Sequence, residues 1–184
     1  VDVRGCAPGT RETDLLSPEK TVQKIHAVVL SGGSAFGLEA DSGVMNYLAK
    51  QGAGFPVGDI TVPIVCGAVL FDLSIGSSHA HPDIQMGYLA ASRASDTFPV
   101  GCYGAGTGAS VGKLKGFAHA MKSGAGYAEF GLPGGLYVGA YMAVNACGEI
   151  YEGDHILAGA LSDDDSHFIS SHELMMTGFQ RHMG

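Results

Sequence analysis

Apolar positions along this chain fall in short runs divided by glycine, proline and small polar residues, and the runs alternate between two periods. Ile25–Leu30 (IHAVVL) is a β-rich run that ends in Ser31-Gly32-Gly33-Ser34. From there a helical period, carried by Leu38, Val44, Met45 and Leu48, predicts a helix to about Lys50, weakened by Gly37 and Gly43. Val62–Leu73 contains a second strand whose continuous apolar character predicts burial on both faces, with Asp72 at its end in a site or turn position. Pro82 and Asp83 open a further helix, roughly to Ala94, with Ile84, Tyr88 and Ala91 on one side. Gly124–Gly131 and Leu136–Val144, separated by Leu132-Pro133-Gly134-Gly135, read as a hairpin.

Weaker signals complete the pattern. Val1–Thr13 reads as a short strand followed by a turn through Gly5, Pro8 and Gly9, flanked by Arg4 and Arg11. Ser17-Pro18-Glu19 has the order of an N-cap, a first-turn proline and a first-turn acid, and predicts a short helix to about Lys24. Phe55-Pro56-Val57-Gly58 predicts a turn, and the polar 162–166 segment a mobile loop. No internal repeat or second domain boundary is visible, so residues 1–184 read as one α/β domain with two glycine-rich turns.

Composition narrows the classes of function. Glycine makes up 29 of 184 residues, about twice its usual share, which suits closely packed layers. The net charge of −8, with ten basic residues that form no stripe, argues against a nucleic-acid surface. The cysteines Cys6, Cys66, Cys102 and Cys147 form no CxxC pair, so reduced thiols in a cytoplasmic protein are the expectation. No apolar run reaches membrane-spanning length. The chain opens at Val1 without an initiator methionine, which leaves room for a lost signal peptide. Of eight histidines only His79 and His81 stand close together, and the further ligands of a metal set are not evident. His167, His172 and His182 in the tail show no ligand spacing either, and neither a metal nor a cofactor is expected.

Two glycine-rich stretches carry the candidate chemistry. In Gly101–Gly116, glycines at 104, 106, 108 and 112 stand beside Thr107 and Ser110, and Lys113 follows as a point charge or perturbed amine. The P-loop spacing fails, because three residues separate Gly108 from Gly112 and Leu114 follows the lysine. The dinucleotide pattern survives only as Gly104, Gly106 and Ala109 without a clear preceding strand. The Gly32-Gly33-Ser34 turn has two readings of equal weight: an anion or oxyanion cradle of free N–H groups, or close packing at a tight turn. Asn145, after the strand LYVGAYMAVN, is either a turn former or an amide donor to a developing oxyanion.

Five phrases in order go further: VDVRGCAPGTRETDLL at 1–16, AVVLSGGSAFGLEADSGV at 27–44, PIVCGAVLFDL, GAGTGASVGKL at 104–114 and VGAYMAVNACGEI at 138–150. Together they closely resemble the L-aminopeptidase/D-esterase family, which includes β-aminopeptidases and the nylon-oligomer hydrolases. The likeness runs to about Ala160. It implies a four-layer αββα sandwich, similar in layering to the N-terminal-nucleophile hydrolases but differently connected. It also implies a precursor that cuts itself before a Ser or Thr, which then heads a small β subunit and serves as nucleophile, with its own amine as base. On that resemblance this chain is most of the large subunit, lacking a first strand, with the cut at or shortly after Gly184, and is inactive and unstable alone. A homo-oligomer of such heterodimers is implied, acting on a small amide or peptide.

Matched residue by residue, the resemblance assigns Asn145 to the oxyanion-stabilising asparagine and Lys113 to the lysine beside the nucleophile in the nylon-hydrolase branch. Gly32, Gly33 and Ser34 would border the substrate cleft. Phe71 stands where studied members have a tyrosine, and Val69 where the aminopeptidase branch has an acid; Asp72 nearby is a polar replacement. The alternatives are an acyltransferase of the glutamate N-acetyltransferase type, a nucleotide- or phosphate-binding module, and a non-catalytic paralogue.

Overall fold

The computed structural model describes residues 1–177, in a mixed α/β arrangement of short sheets and three α-helices. His182 and Gly184, and with it the expected cleavage point, lie outside the described residues. The chain packs as two units, Val1–Pro99 and a second beginning at Val100.

The first unit is built on a three-stranded sheet. Strand β1 (Thr10–Arg11) comes first, followed by β2 (Ala27–Ser31) from the β-branched run. The Gly-Gly-Ser turn then leads through a 3₁₀ segment, Ser34–Leu38, into helix α1 (Glu39–Lys50). Acids Glu39 and Asp41 in its first turn and Lys50 in its last complement the helix dipole. The helix stops at Gly52, φ +69°: Gly52 N–H donates to Ala49 O and Ala53 N–H to Leu48 O, both at 3.0 Å. These paired bonds form the glycine-closed terminus that satisfies the last carbonyls.

Phe55-Pro56-Val57 is not a turn, as the sequence suggested, but strand β3 (Phe55–Val57), paired with β4 (Ile60–Val62). The turn falls one step later, at Gly58, φ +59°. Pro56 is tolerated because a two-stranded ribbon has only edge strands. Strand β5 (Val65–Val69) then lies parallel to β2 and antiparallel to β1, giving the order β1-β5-β2. Helix α2 (Ile84–Ser92) opens where expected and is capped by Asp83, whose Oδ1 accepts from Met86 N–H at 2.7 Å. It crosses α1 at close range, because Gly43 faces the backbone of Ile84 and Tyr88 while Gly87 faces that of Ala40.

The predicted helix after Ser17-Pro18-Glu19 does not form. Only one turn closes there, Lys20 N–H to Ser17 O at 3.0 Å, and an extended connection follows to β2. The seven-residue stretch has no apolar face to bury, so nothing offsets the cost of nucleating a helix.

A buried carboxylate sits where α1 meets β5. Asp41 is 1 % exposed, rests against the Cα of Gly67, and leaves Oδ2 buried without a hydrogen-bond partner. Burial pushes its pKa up to about 6, with Arg11 pulling in the opposite direction. Arg11 itself is held by Ser42 Oγ at 2.8 Å and Met45 Sδ at 3.7 Å.

The second unit is a set of two-stranded ribbons. They pair β6 (Ser110–Val111) with β7 (Met121–Lys122), β8 (Ala125–Leu132) with β9 (Leu136–Ala143), β10 (Ile150–Glu152) with β11 (His155–Ala158), and β12 (Ala160–Leu161) with β13 (Phe168–Ile169). The β8–β9 hairpin is the one read from Leu132-Pro133-Gly134-Gly135, with Gly134 and Gly135 at φ +88° and +82°. Its cross-strand pairs sort into two faces. One carries Tyr127, Tyr141, Glu129 and Tyr137; the other pairs Phe130 with Val138 and Leu132 with Leu136, and carries Met142. Phe130 is 68 % and Met142 62 % exposed.

The 162–166 segment is the connection between β12 and β13, and it is hydrogen-bonded internally. Asp164 Oδ1 accepts from Ser162 Oγ at 2.6 Å and Ser166 Oγ at 2.7 Å, and these bonds hold its carboxyl below the usual range. Helix α3 (Ser171–Met176) follows, with Glu149 accepting from Ser171 N–H.

Candidate active site

The glycine-rich stretch at Gly101–Gly116 folds as a loop, a single 3₁₀ turn at Gly104–Gly106, and then β6. No strand leads into it and no helix leaves it, which disposes of the dinucleotide pattern. Ala105, Ala109, Ser110 and Val111 are all buried. Gly112, at φ +72°, packs against the backbone of Gly159 and Ala160, an approach that any Cβ would block.

That approach brings Lys113 inside. It is 6 % exposed, and its Nζ donates to Asn145 Oδ1 at 2.6 Å and to Asn145 O at 2.9 Å. The two backbones are stitched together alongside, Gly112 N–H to Gly148 O and Lys113 N–H to Cys147 O, both at 2.8 Å. Ser110 N–H is a second donor to Asn145 Oδ1, at 3.1 Å. Two donors on one oxygen fix the orientation of the amide, with Oδ1 toward Lys113 and Ser110 and Nδ2 as its donor end. Lys113 and Asn145, thirty-two positions apart in sequence, thus form one cluster.

The other candidate residues meet in the first unit. Gly33, at φ +82°, donates its N–H to Asp72 Oδ1 at 2.6 Å. The Asp72 carboxylate lies over the Cα of Gly32. Ser34, itself at φ +53°, donates its N–H to Leu70 O at 2.9 Å. Of the two readings open in the sequence, the close-packed turn is the one that forms: the N–H groups of Gly33 and Ser34 are both used internally. A carboxylate in that place would also repel an anion. Phe71, beside Asp72, is 55 % exposed. Phe36 stacks on His81, ring centroids 4.9 Å apart, against the same turn.

Sequence reasoning missed Ser110 as a backbone donor to Asn145, and also Lys122, whose Nζ donates to Thr107 O and Ala109 O. Nothing in the spacing of either residue signals these bonds. Among the described residues no group of three or more His, Cys, Asp and Glu side chains is placed to hold a metal ion, and no helix is long and apolar enough to cross a membrane. None of the four cysteines is in a disulfide. Burial and the nearby Glu12 and Asp41 carboxylates raise the pKa of Cys66, which keeps it protonated and unreactive.

The buried Lys113 is thus clamped to an asparagine amide beside a glycine-rich loop, and comparison with known proteins places the chain in a family. The model of peptidase family S58 matches residues 1–167, and the chain belongs to that family. An uncharacterized aminopeptidase of Mycobacterium leprae is 46 % identical over 160 residues, covering 83 % of this chain and 42 % of that protein. One from Mycobacterium tuberculosis is 44 % identical over 152 residues, with the same coverage. The 6-aminohexanoate-oligomer endohydrolase of Paenarthrobacter ureafaciens is 38 % identical over 90 residues, 48 % of this chain and 25 % of the enzyme. The chain therefore spans less than half the length of the aminopeptidases it matches.

Proposed function

We propose that this chain is most of the large subunit of a self-processing amide hydrolase, an aminopeptidase, amidase or esterase acting on small amides or peptides. The observation that carries the reading is the Lys113–Asn145 pair, 2.6 Å apart and buried, in a chain of peptidase family S58. The nucleophile is a Ser or Thr at the head of a separate small β subunit cut from the same precursor. Its α-amine, with an ordinary pKa of about 8, takes the hydroxyl proton as the oxygen attacks the amide carbon. The Lys113 ammonium beside it favours the neutral, proton-accepting form of that amine. Asn145 donates from Nδ2 to the oxyanion that forms as the carbonyl becomes tetrahedral. Within the first unit the resemblance gives Gly32, Gly33, Ser34 and Phe71 to substrate binding, with Asp72 as a negative charge suited to a substrate ammonium.

The uncovered apolar surfaces support a missing polypeptide. On one face of the β8–β9 hairpin Phe130 and Val138 are 68 % and 56 % exposed, and on β2 Val28 and Leu30 are 67 % and 39 % exposed. Apolar sheet faces of this kind are stable in water only when another layer covers them. The small subunit would complete these layers as a four-layer αββα sandwich, and such heterodimers would assemble into a homo-oligomer. Four cysteines outside any disulfide suit a reducing, cytoplasmic setting.

The test is hydrolysis by the protein expressed from its complete gene, with amino-acid p-nitroanilides and short amide oligomers as substrates. Release of amine or p-nitroaniline is the expected result. Acyl transfer from acetylornithine to glutamate in place of hydrolysis would move the protein to the acyltransferases, and stabilisation by ATP or NAD with no amidase activity would point to a nucleotide-binding module.

A further inference from the structure

Lys122 stands on β7 directly opposite Ser110 of β6. Its side chain is exposed along much of its length, yet its Nζ turns back over the glycine-rich loop. There it donates to Thr107 O at 2.8 Å, Ala109 O at 2.9 Å and Gly106 O at 3.5 Å. Ala109 O accepts a second bond, from Ser123 N–H at 2.9 Å, so both of its lone pairs are engaged. The Ala109 carbonyl and the Ser110 N–H are opposite ends of one planar trans peptide. That same Ser110 N–H donates to Asn145 Oδ1.

A single series of hydrogen bonds therefore runs from the Lys122 ammonium, through the Ala109–Ser110 peptide, to the Asn145 amide oxygen, which Lys113 also meets. We propose that Lys122 is a positioning residue for Asn145, acting through that one peptide plane. Two effects combine. The ammonium fixes the rotation of the plane, because turning Ser110 N–H away from Asn145 would also turn Ala109 O away from Lys122. It also polarises the peptide, and a carbonyl that accepts a charged donor makes its own N–H a stronger donor. Lys122 touches no reacting atom in this scheme; its role depends on the part assigned above to Asn145.

The test uses the complete protein with Lys122→Met and Lys122→Arg, read by steady-state kinetics on an amino-acid p-nitroanilide and by hydrogen exchange at the Ser110 amide. Lys122→Met is expected to lower kcat by about tenfold, with KM changed less than about twofold, since misplacing a group by fractions of an ångström acts on the transition state. Ser110 exchange should quicken by about tenfold while the β8–β9 hairpin keeps its wild-type protection. Lys122→Arg, which keeps the charge over the carbonyls, should restore most of both. Wild-type kcat and wild-type Ser110 exchange in Lys122→Met would overturn the proposal, as would a loss of protection spread evenly over the second unit. Should Lys122→Met fail to fold, Lys122→Gln removes the charge but keeps a donor, and carries the same two readouts. A wild-type protein without hydrolase activity would sink the functional reading alone, because the exchange at Ser110 still decides the coupling through the peptide plane.

Discussion

Asn145→Ala in the complete protein is expected to lower kcat by about 10²–10³-fold, the usual cost of deleting one oxyanion donor. KM should change little, because Nδ2 bonds more strongly to the developing oxyanion than to the ground-state carbonyl. The substitution also removes one acceptor from a buried ammonium. Lys113 Nζ keeps the backbone oxygen of residue 145 at 2.9 Å but loses its 2.6 Å partner, so a stability loss of about 1–3 kcal/mol accompanies the kinetic effect. Asn145→Asp separates the two. A carboxylate still accepts from Lys113 and Ser110, so thermal stability should stay near wild type, but it has no N–H to donate and kcat should remain low. Steady-state kinetics and thermal unfolding on the same preparations check both. An Asn145→Asp protein with wild-type kcat would remove Asn145 from the chemistry.

Asp41→Asn is expected to stabilise the protein at neutral pH and to flatten its stability between about pH 4 and 6. The folded-state pKa of Asp41 is raised from 3.8 to about 6, so the native state holds this proton more tightly than the unfolded chain does. Its contribution to stability is then complete below pH 3.8 and is lost as the pH rises through about 6. Holding this proton more tightly in the folded protein corresponds to about 3 kcal/mol. An asparagine never ionises, so the variant escapes this loss, and its advantage should grow from near zero at pH 3.5 to its full size above about pH 6.5. Unfolding midpoints of both proteins across this range provide the check. Parallel curves with no divergence above pH 4 would show that Asp41 ionises without cost in the folded protein.

Much of the fold was legible locally. Asp83 caps α2, Leu132-Pro133-Gly134-Gly135 turns a hairpin, and Val65–Val69 is a buried strand, because in each case neighbouring residues supply both the geometry and the packing. The readings that failed lacked such support. Ser17-Pro18-Glu19 has a helix start but no apolar face behind it, and Pro56 looked like a turn although the reversal is made at Gly58, before the ribbon partner Ile60–Val62. The bonds around Asp164 order the 162–166 connection in a way its polar composition does not signal.

The candidate site was legible in a different way. Lys113 and Asn145 were each plausible alone, but no spacing rule joins a loop lysine to an asparagine after a later strand; the resemblance of two motifs did so. Once Gly112 lets the backbone approach Gly159 and Ala160, the pairing follows from packing. At the Gly32-Gly33-Ser34 turn the same glycines served either reading, and Asp72, thirty-nine residues away from Gly33, decided between them. Lys122 left no trace in the sequence, since its partners are backbone carbonyls, which every residue type presents.

The most direct measurement is intact mass spectrometry with N-terminal sequencing on the protein expressed from its complete gene. The account predicts two polypeptides, the smaller beginning with Ser or Thr, from wild-type protein. A single uncleaved chain that nevertheless hydrolyses amides would contradict self-processing and deny the second chain its nucleophile.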